Sequence, residues 1–202
     1  MISKLLVRSA LVLCVLTVFT ASLSAQRAEI YPNAGYVWPD TMNNGQRLKS
    51  DGIYGLKGGV FLDQHVQLEG SFGYLNHFEL RAPTLSPNTA TRGFLYDLNA
   101  AYNFGERQFL NSRISPFLSV GAGGLTAHVP NAPAVVLNTG KAMQGGDTFF
   151  TVNYGAGVKF LNVAGPMGFR VDVRGRTLPN FFGETTTWFE PTAGLTFSWG
   201  ER

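Results

Sequence analysis

Apolar and polar side chains alternate with a period of two along most of the chain after residue 28. This period predicts β-strands, because successive side chains of a strand point to opposite faces. Each alternating segment is close to the roughly 9–11 residues that a tilted strand needs to cross a bilayer. The eight segments are residues 28–38, 53–62, 66–76, 94–104, 114–125, 149–161, 167–176 and 187–199.

The links between these segments alternate in length. Short turns follow the second, fourth and sixth segments, at residues 63–65, 105–113 and 162–166. The other links are longer and rich in Pro, Asn, Gly and Thr, at about 39–52, 77–93, 126–148 and 177–186. Turns at one end and loops at the other predict an all-β fold, an antiparallel up-and-down barrel of about eight strands that spans a membrane.

The two faces of the predicted strands differ in character. In the sixth segment Phe150, Tyr154 and Phe160 share one face, and Asn153 and Lys159 share the other. The interior of an eight-stranded barrel is only just wide enough for side chains to fill. Eight broad aromatic stripes therefore cannot fit inside, and we expect them to face lipid. The small, polar and Gly-rich set is expected to face inward.

The charged residues within the predicted strands fall on the inward face. They include four cations and four anions: Lys57, Glu69, Asp97, Lys159, Arg170, Asp172, Arg174 and Glu190. Because an unpaired buried charge is strongly destabilising, we expect these residues to form a salt-bridged network that fills the barrel. The alternative is a narrow path for ions or small solutes lined by the same residues.

The N-terminus has the pattern of a secretory signal peptide. Lys4 and Arg8 precede an apolar run at residues 11–19, and the small residues Ala21, Ser22, Ser24 and Ala25 follow. The run is too short for a helix of about 20 residues that spans a bilayer. We expect a leader at residues 1–25, cleaved after Ser24 or Ala25, and a barrel domain at 26–202. The only cysteine, Cys14, lies in the leader.

Composition agrees with a barrel that meets lipid. Charged residues make up 14% of the chain, against about 25% in soluble domains. No run of Lys and Arg is present, so the sequence lacks the electrostatic footprint of a nucleic-acid-binding protein.

Several stretches resemble the outer membrane protein β-barrel domain family of Gram-negative bacteria, which includes OmpA/OmpX-like small barrels. They are residues 54–62 (YGLKGGVFL), 66–74 (VQLEGSFGY), 97–105 (DLNAAYNFG), 116–124 (PFLSVGAGG) and 154–160 (YGAGVKF). The resemblance implies an outer-membrane location. An even number of strands puts both termini at the turn end, which we expect to face the periplasm.

The C-terminus resembles the assembly signal of such barrels, a polar residue, a glycine and two alternating aromatics. The matching residues are Thr192, Gly194, Phe197 and Trp199. The resemblance implies recognition by the barrel-assembly machinery and by periplasmic chaperones. The three residues after Trp199 depart from the family pattern, in which the chain usually stops at the last aromatic.

Catalytic chemistry is not indicated. None of His65, His77 and His128 has a serine two residues later, as the deacylase type of barrel enzyme would require, and three scattered histidines do not form a metal set. We expect no cofactor, and a monomer with a structural or surface-interaction role that contacts outer-membrane lipid and lipopolysaccharide. A narrow channel and a lipid-modifying enzyme are the alternatives.

Overall fold

The computed structural model describes residues 27–40, 47–81, 90–109, 112–128, 135–136, 142–143, 147–181 and 184–200. Short strands at Arg47–Leu48 and Arg107–Phe109 pair with longer ones, and Val135–Val136 pairs with Ala142–Met143. The predicted leader and Cys14 lie outside the described residues. The long strands are β1 (Ala28–Pro39), β2 (Asp51–Phe61), β3 (Val66–Arg81), β4 (Ala90–Asn103), β5 (Ser112–His128), β6 (Asp147–Ala164), β7 (Met167–Phe181) and β8 (Glu184–Trp199).

The eight long strands close into a barrel. Each pairs antiparallel with its neighbours in the chain, and β8 pairs with β1 from Trp199 opposite Ala28 to Trp188 opposite Pro39. Closure removes the unpaired strand edges of an open sheet. The predicted fold class, an all-β antiparallel barrel of eight strands, is confirmed.

The strands extend beyond their predicted limits at the loop end, where β1 and β2, β3 and β4, β5 and β6, and β7 and β8 are joined. The predicted loop at 177–186 is wrong, because β7 reaches Phe181 and β8 begins at Glu184. The alternation continues there with Leu178 and Trp188 buried inside the barrel. Pro179, which suggested a loop, lies at a register irregularity where a missing backbone N–H is tolerated.

At the turn end, tight turns join β2 to β3 and β6 to β7. The carboxylate of Asp63 accepts the backbone N–H groups of Val66 (2.7 Å) and His65 (2.6 Å). These two hydrogen bonds, of which the one from Val66 has the larger effect, hold the pKa of the exposed Asp63 carboxyl below its usual value. Between β6 and β7, Gly165 adopts a φ of 62°, which favours glycine.

The outer surface of the barrel is apolar over its middle. Leu98 and Val120 are 61% and 58% exposed there. Tyr54, Tyr74 and Phe94 lie side by side in register across β2, β3 and β4 nearer the loop end. The surface therefore has the aromatic rows expected at membrane interfaces.

Not every outward aromatic belongs to such a row. Phe72 and Tyr96 are opposite each other near the middle of β3 and β4.

The charged barrel interior as candidate functional site

The structure brings all eight charged residues of the predicted inward set into the barrel interior, where they are buried. Two further charges, Glu29 and Arg176, are buried with them. Among the residues that the structure describes, the buried charges are five cations and five anions. Equal numbers allow each ion to have a partner, which a low-dielectric interior requires.

Strand β7 supplies the spine of the network. Arg170, Asp172, Arg174 and Arg176 occupy four successive inward positions, because they are spaced two residues apart. The network thus extends along the barrel axis, and each β7 charge meets partners from the opposite wall.

The cluster nearest the loop end centres on Arg176. Its guanidinium donates to Asp97 in a bidentate pair, with Nη1–Oδ1 at 2.6 Å and Nη2–Oδ2 at 2.9 Å. Its Nε donates to Glu190 Oε1 at 2.6 Å, and Nη1 also donates to Thr151 Oγ1 at 2.9 Å. The indole N–H of Trp188 donates to the same Glu190 oxygen. One guanidinium therefore bridges two carboxylates, Asp97 from β4 and Glu190 from β8.

The central cluster links β7 to β3 and β2. Arg170 and Arg174 both donate to the carboxylate of Glu69, the latter through Nη2 at 2.5 Å. Asp172 accepts from Arg170 Nη2 at 2.8 Å and from Lys57 Nζ at 2.9 Å. These alternating charges connect strands that are distant in sequence across the barrel interior.

A third cluster lies at the turn end. Lys159 Nζ donates to Glu29 Oε2 at 2.6 Å and to Gln67 Oε1 at 2.7 Å. Arg27 donates to the other oxygen of Glu29 and to Glu106 Oε1, both at 2.7 Å. Glu106 belongs to the turn after β4, so these ion pairs hold that turn across the opening of the barrel.

Aromatic rings separate the turn-end cluster from the central cluster. Tyr31, Phe61 and Phe117 are buried inside the barrel. The guanidinium of Arg170 lies 4.3 Å from the ring centroid of Phe117, and Lys159 Nζ lies 5.0 Å from that of Phe61. Such contacts contribute about 0.5–2 kcal/mol each. The aromatic layer therefore packs against the cations on both sides.

The interior becomes apolar at the loop end, above the Arg176 cluster. The expectation of a small, polar inward face is wrong there. Large buried side chains converge on the axis instead, namely Val37, Ile53, Leu75, Leu95, Leu125, Leu178, Phe181 and Trp188. The outward positions at this height include Arg92, Thr126 and Thr148, which are polar. The inward face thus becomes apolar at a height where several outward positions are polar.

The inward glycines of β5 and β6 make room for the network. A Cβ on Gly157 would lie 2.7 Å from Asp172 Cβ and 2.6 Å from Phe117 Cζ, and one on Gly155 would lie 3.0 Å from Arg174 Cγ. A cavity of about 20 Å³ remains between Lys57, Arg174, Glu190 and neighbouring side chains. That volume accommodates about one water molecule. The charged clusters therefore fill this part of the interior.

Two of the ten buried charges, Arg176 and Glu29, were not among the inward residues predicted from the sequence. Arg176 continues the alternation of Arg170, Asp172 and Arg174 by one step, so extending the pattern by two residues would have found it. Glu29 shares the inward face with Tyr31 in β1, whose faces the sequence analysis did not assign. In both cases, the alternation of inward and outward positions along the strand is the signal that identifies the residue.

The residues of the predicted assembly signal lie on both faces of β8. Thr192 is buried, and its hydroxyl donates to the carboxylate of Asp172. A Cβ on Gly194 would lie 2.8 Å from Asn33 Cα of β1, so glycine permits the close approach of the two closing strands. Trp199 faces outward and is 50% exposed, and Phe197 is outward and half-buried.

The histidines do not assemble into a catalytic site or metal site in the described part of the chain. His65 lies in the turn before β3 and stacks on Tyr102, whereas His77 and His128 lie towards the loop end. No group of three His, Cys, Asp or Glu side chains placed to hold a metal ion occurs among the described residues. No helix in those residues is long and apolar enough to cross a membrane.

Solved structures with the same fold are outer-membrane barrels. The N-terminal β-barrel domain of OprF from Pseudomonas aeruginosa is 20% identical, with 86% of this chain and 97% of that chain covered and a TM-score of 0.54. Neisserial surface protein A is 13% identical, with 84% and 96% covered and a TM-score of 0.60. The outer membrane protein AlkL, solved in lipid bilayers, is 10% identical, with 87% and 90% covered and a TM-score of 0.50.

At these identities, the structures show a shared fold. No curated protein sequence matches the chain significantly. A family model described as the outer membrane protein β-barrel domain matches residues 10–197, which is most of the chain. The chain therefore belongs to the outer membrane protein β-barrel domain family.

Proposed function

We propose that this protein is a closed, monomeric barrel that supports the outer membrane and displays its loop end to partners, without a catalytic role. The filled interior is the observation that carries the proposal. Ion pairs and aromatic rings occupy the turn end and the centre, and large apolar side chains occupy the loop end. An eight-stranded barrel has little bore to spare.

Planar-bilayer conductance of the purified barrel tests the closed interior. We expect no stable unitary steps, because the ions that line the interior are paired with one another. A variant with Glu69, Arg170 and Arg174 all replaced by Ala serves as the opened control, provided that its heat-modifiable gel migration shows a folded barrel. Large, stable steps from the unaltered protein would support the narrow channel instead.

The orientation is also a proposal. Ala28, where β1 begins, and Trp199, where β8 ends, are opposite each other at the turn end. We place this end in the periplasm, so that the loop end contacts lipopolysaccharide and the environment. A protease site inserted between residues 131 and 132 is expected to be cut on intact cells, and one inserted between residues 63 and 64 is expected to be protected. The reverse pattern would overturn the orientation.

We propose that the end of β8 is the signal read by the barrel-assembly machinery, with periplasmic chaperones acting earlier. The outward, exposed position of Trp199 beside the strand end supports this role. We expect a Phe197→Ala/Trp199→Ala variant to reach the outer membrane at a small fraction of the normal level. Phe72→Ala/Phe94→Ala, which also removes two outward aromatics, is the control. Equal loss in both variants would indicate a general folding defect.

The remaining alternative, a lipid-modifying enzyme, has a direct test. The folded barrel is incubated with radiolabelled lipid A or phospholipid, and the products are separated by thin-layer chromatography. We expect no product above the level of a heat-unfolded sample. A product formed by the folded protein and abolished by substitution of one histidine would contradict the proposed role.

A further inference from the structure

The lipid-facing surface has a groove near the turn end that the closed interior does not explain. Its volume is about 710 Å³, within the range of roughly 300–1,000 Å³ that is usual for ligand sites. The groove crosses β8, β1, β2 and β3. Ile30, Leu56, Phe72 and Trp199 form its sides, and Gly58 and Gly70 lie in its floor.

The glycines in the floor are bare, unlike Gly124 and Gly175 on the same outer face. A Cβ on Gly124 would lie 2.7 Å from the ring of Tyr96, and one on Gly175 would lie 2.6 Å from the ring of Tyr154. The chain itself therefore covers those two positions with tyrosine.

The floor of the groove has no such cover. A Cβ on Gly58 would meet its nearest neighbour at 3.8 Å and one on Gly70 at 4.0 Å. The two residues are directly opposite in register, so a cross-strand pair without side chains faces the membrane. Such a pair contributes none of the side-chain packing that stabilises a sheet. The missing contacts can come only from an occupant.

The length of the groove fits within one leaflet. It runs over three successive outward positions, from Val60 beside Ala28 through Gly58 beside Ile30 to Leu56 beside Phe72. Four residues of strand span about 14 Å, and less along the membrane normal because the strands are tilted. One leaflet of a hydrocarbon core of about 30 Å is about 15 Å deep. Trp199, at the turn-end mouth, lies where an aromatic side chain meets the headgroup level.

We propose that this groove binds one acyl chain of a phospholipid from the leaflet at the turn end of the barrel. A flexible chain can enter the slot and contact the backbone at Gly58 and Gly70. A second barrel presents a convex surface, which would touch Leu56 and Phe72 at the sides and leave the floor unfilled. The assignment to phospholipid uses the proposed orientation, since the turn end then faces the periplasmic leaflet. Occupancy of the groove does not depend on it.

Native mass spectrometry tests the proposal after the full-length barrel is reconstituted in vesicles of phosphatidylethanolamine and lipopolysaccharide and extracted in mild detergent. We expect the unaltered barrel to retain one phosphatidylethanolamine. A Gly58→Leu/Gly70→Leu variant is expected to retain at least tenfold less, because leucine side chains fill the slot. Ala34→Leu also adds leucine bulk to the outward face, but away from the groove, and should bind as the unaltered protein does. Heat-modifiable migration confirms that each variant is folded.

Four results would overturn the proposal. Equal retention by the double-leucine variant would show that the lipid binds elsewhere, and the absence of retained lipid from the unaltered barrel would show an empty groove. Barrel dimers that the leucines abolish would identify a second copy as the occupant. Groove-dependent retention of lipopolysaccharide would refute the phospholipid and point to an inverted barrel, which the protease-site experiment checks independently.

Discussion

Replacement of Arg176 by Met tests whether the buried ions hold one another in place. Arg176 is the cation that pairs with Asp97 and Glu190. In the variant, Asp97 keeps a hydrogen bond from Ser71 at 3.0 Å and the Arg174 guanidinium at 3.9 Å. Glu190 keeps the indole N–H of Trp188 but loses its guanidinium partner. The substitution therefore leaves a buried carboxylate without a counter-ion.

The expected loss of unfolding free energy is about 3–5 kcal/mol, the usual cost of removing one partner from a buried ion pair. Glu190→Gln alone is expected to cost about 1–3 kcal/mol, because it weakens a charge-assisted hydrogen bond while Arg176 keeps Asp97. In the double variant, neither the unpaired carboxylate nor its partner remains. It should therefore be more stable than Arg176→Met alone by about 1–3 kcal/mol.

The assay is reversible urea unfolding in phospholipid vesicles, followed by tryptophan fluorescence and by heat-modifiable migration. Arg113→Met is the matched control. Arg113 pairs with Glu106 at 3.2 Å, but its side chain is 48% exposed, so the expected cost is at most about 1 kcal/mol. The reasoning fails if Arg176→Met costs no more than this control. It fails equally if the Arg176 and Glu190 substitutions are additive.

Three further predictions concern the outer face and the turns, and the same unfolding assay measures all of them. Leu98→Arg should lower the free energy of unfolding by about 2–4 kcal/mol because Leu98 faces mid-bilayer, whereas Thr126→Arg near the loop end should lower it by about 1 kcal/mol or less. Equal losses would contradict the assigned position of the membrane. Tyr96→Ala should cost about 0.5–1.5 kcal/mol because it uncovers Gly124, and Tyr96→Phe should be nearly neutral. Because the pKa of Asp63 is lowered on folding, its contribution to stability is complete at pH above its unfolded-state pKa and is lost as the pH falls through its folded-state pKa. Asp63→Ala should therefore remove this acid-dependent part of the unfolding midpoint. An unchanged pH profile of the midpoint would refute the prediction.

The strand count and the facing of each strand were predictable from local pattern. In the sixth segment, Tyr154 and Lys159 were assigned to opposite faces by parity alone, and the structure places them outside and inside the barrel. Parity suffices because neighbouring side chains of a strand must diverge. The limits of the strands were less predictable, because Pro179 and nearby Thr residues resemble a loop in composition, whereas buried Leu178 and Trp188 keep that segment in the sheet.

The pairing of the buried ions could not be predicted, because it joins residues far apart in the chain. Arg170 and Glu69 are 101 residues apart, and Lys57 and Asp172 are 115 apart. Which cation meets which anion depends on barrel closure and on the stagger of the strands, which set the height of each inward position. The apolar layer at the loop end has the same origin, since it forms where strands from around the whole barrel extend to the same height.

The amino-acid sequence by itself determined that this protein is an eight-stranded barrel with an apolar exterior and a charged interior. The reason is that a two-residue period and a narrow lumen leave one consistent arrangement of faces. Only the tertiary structure decided the partners of each buried ion, the apolar layer inside the loop end and the groove over Gly58 and Gly70. Those features depend on the register between strands, a relation between distant segments that no local pattern contains.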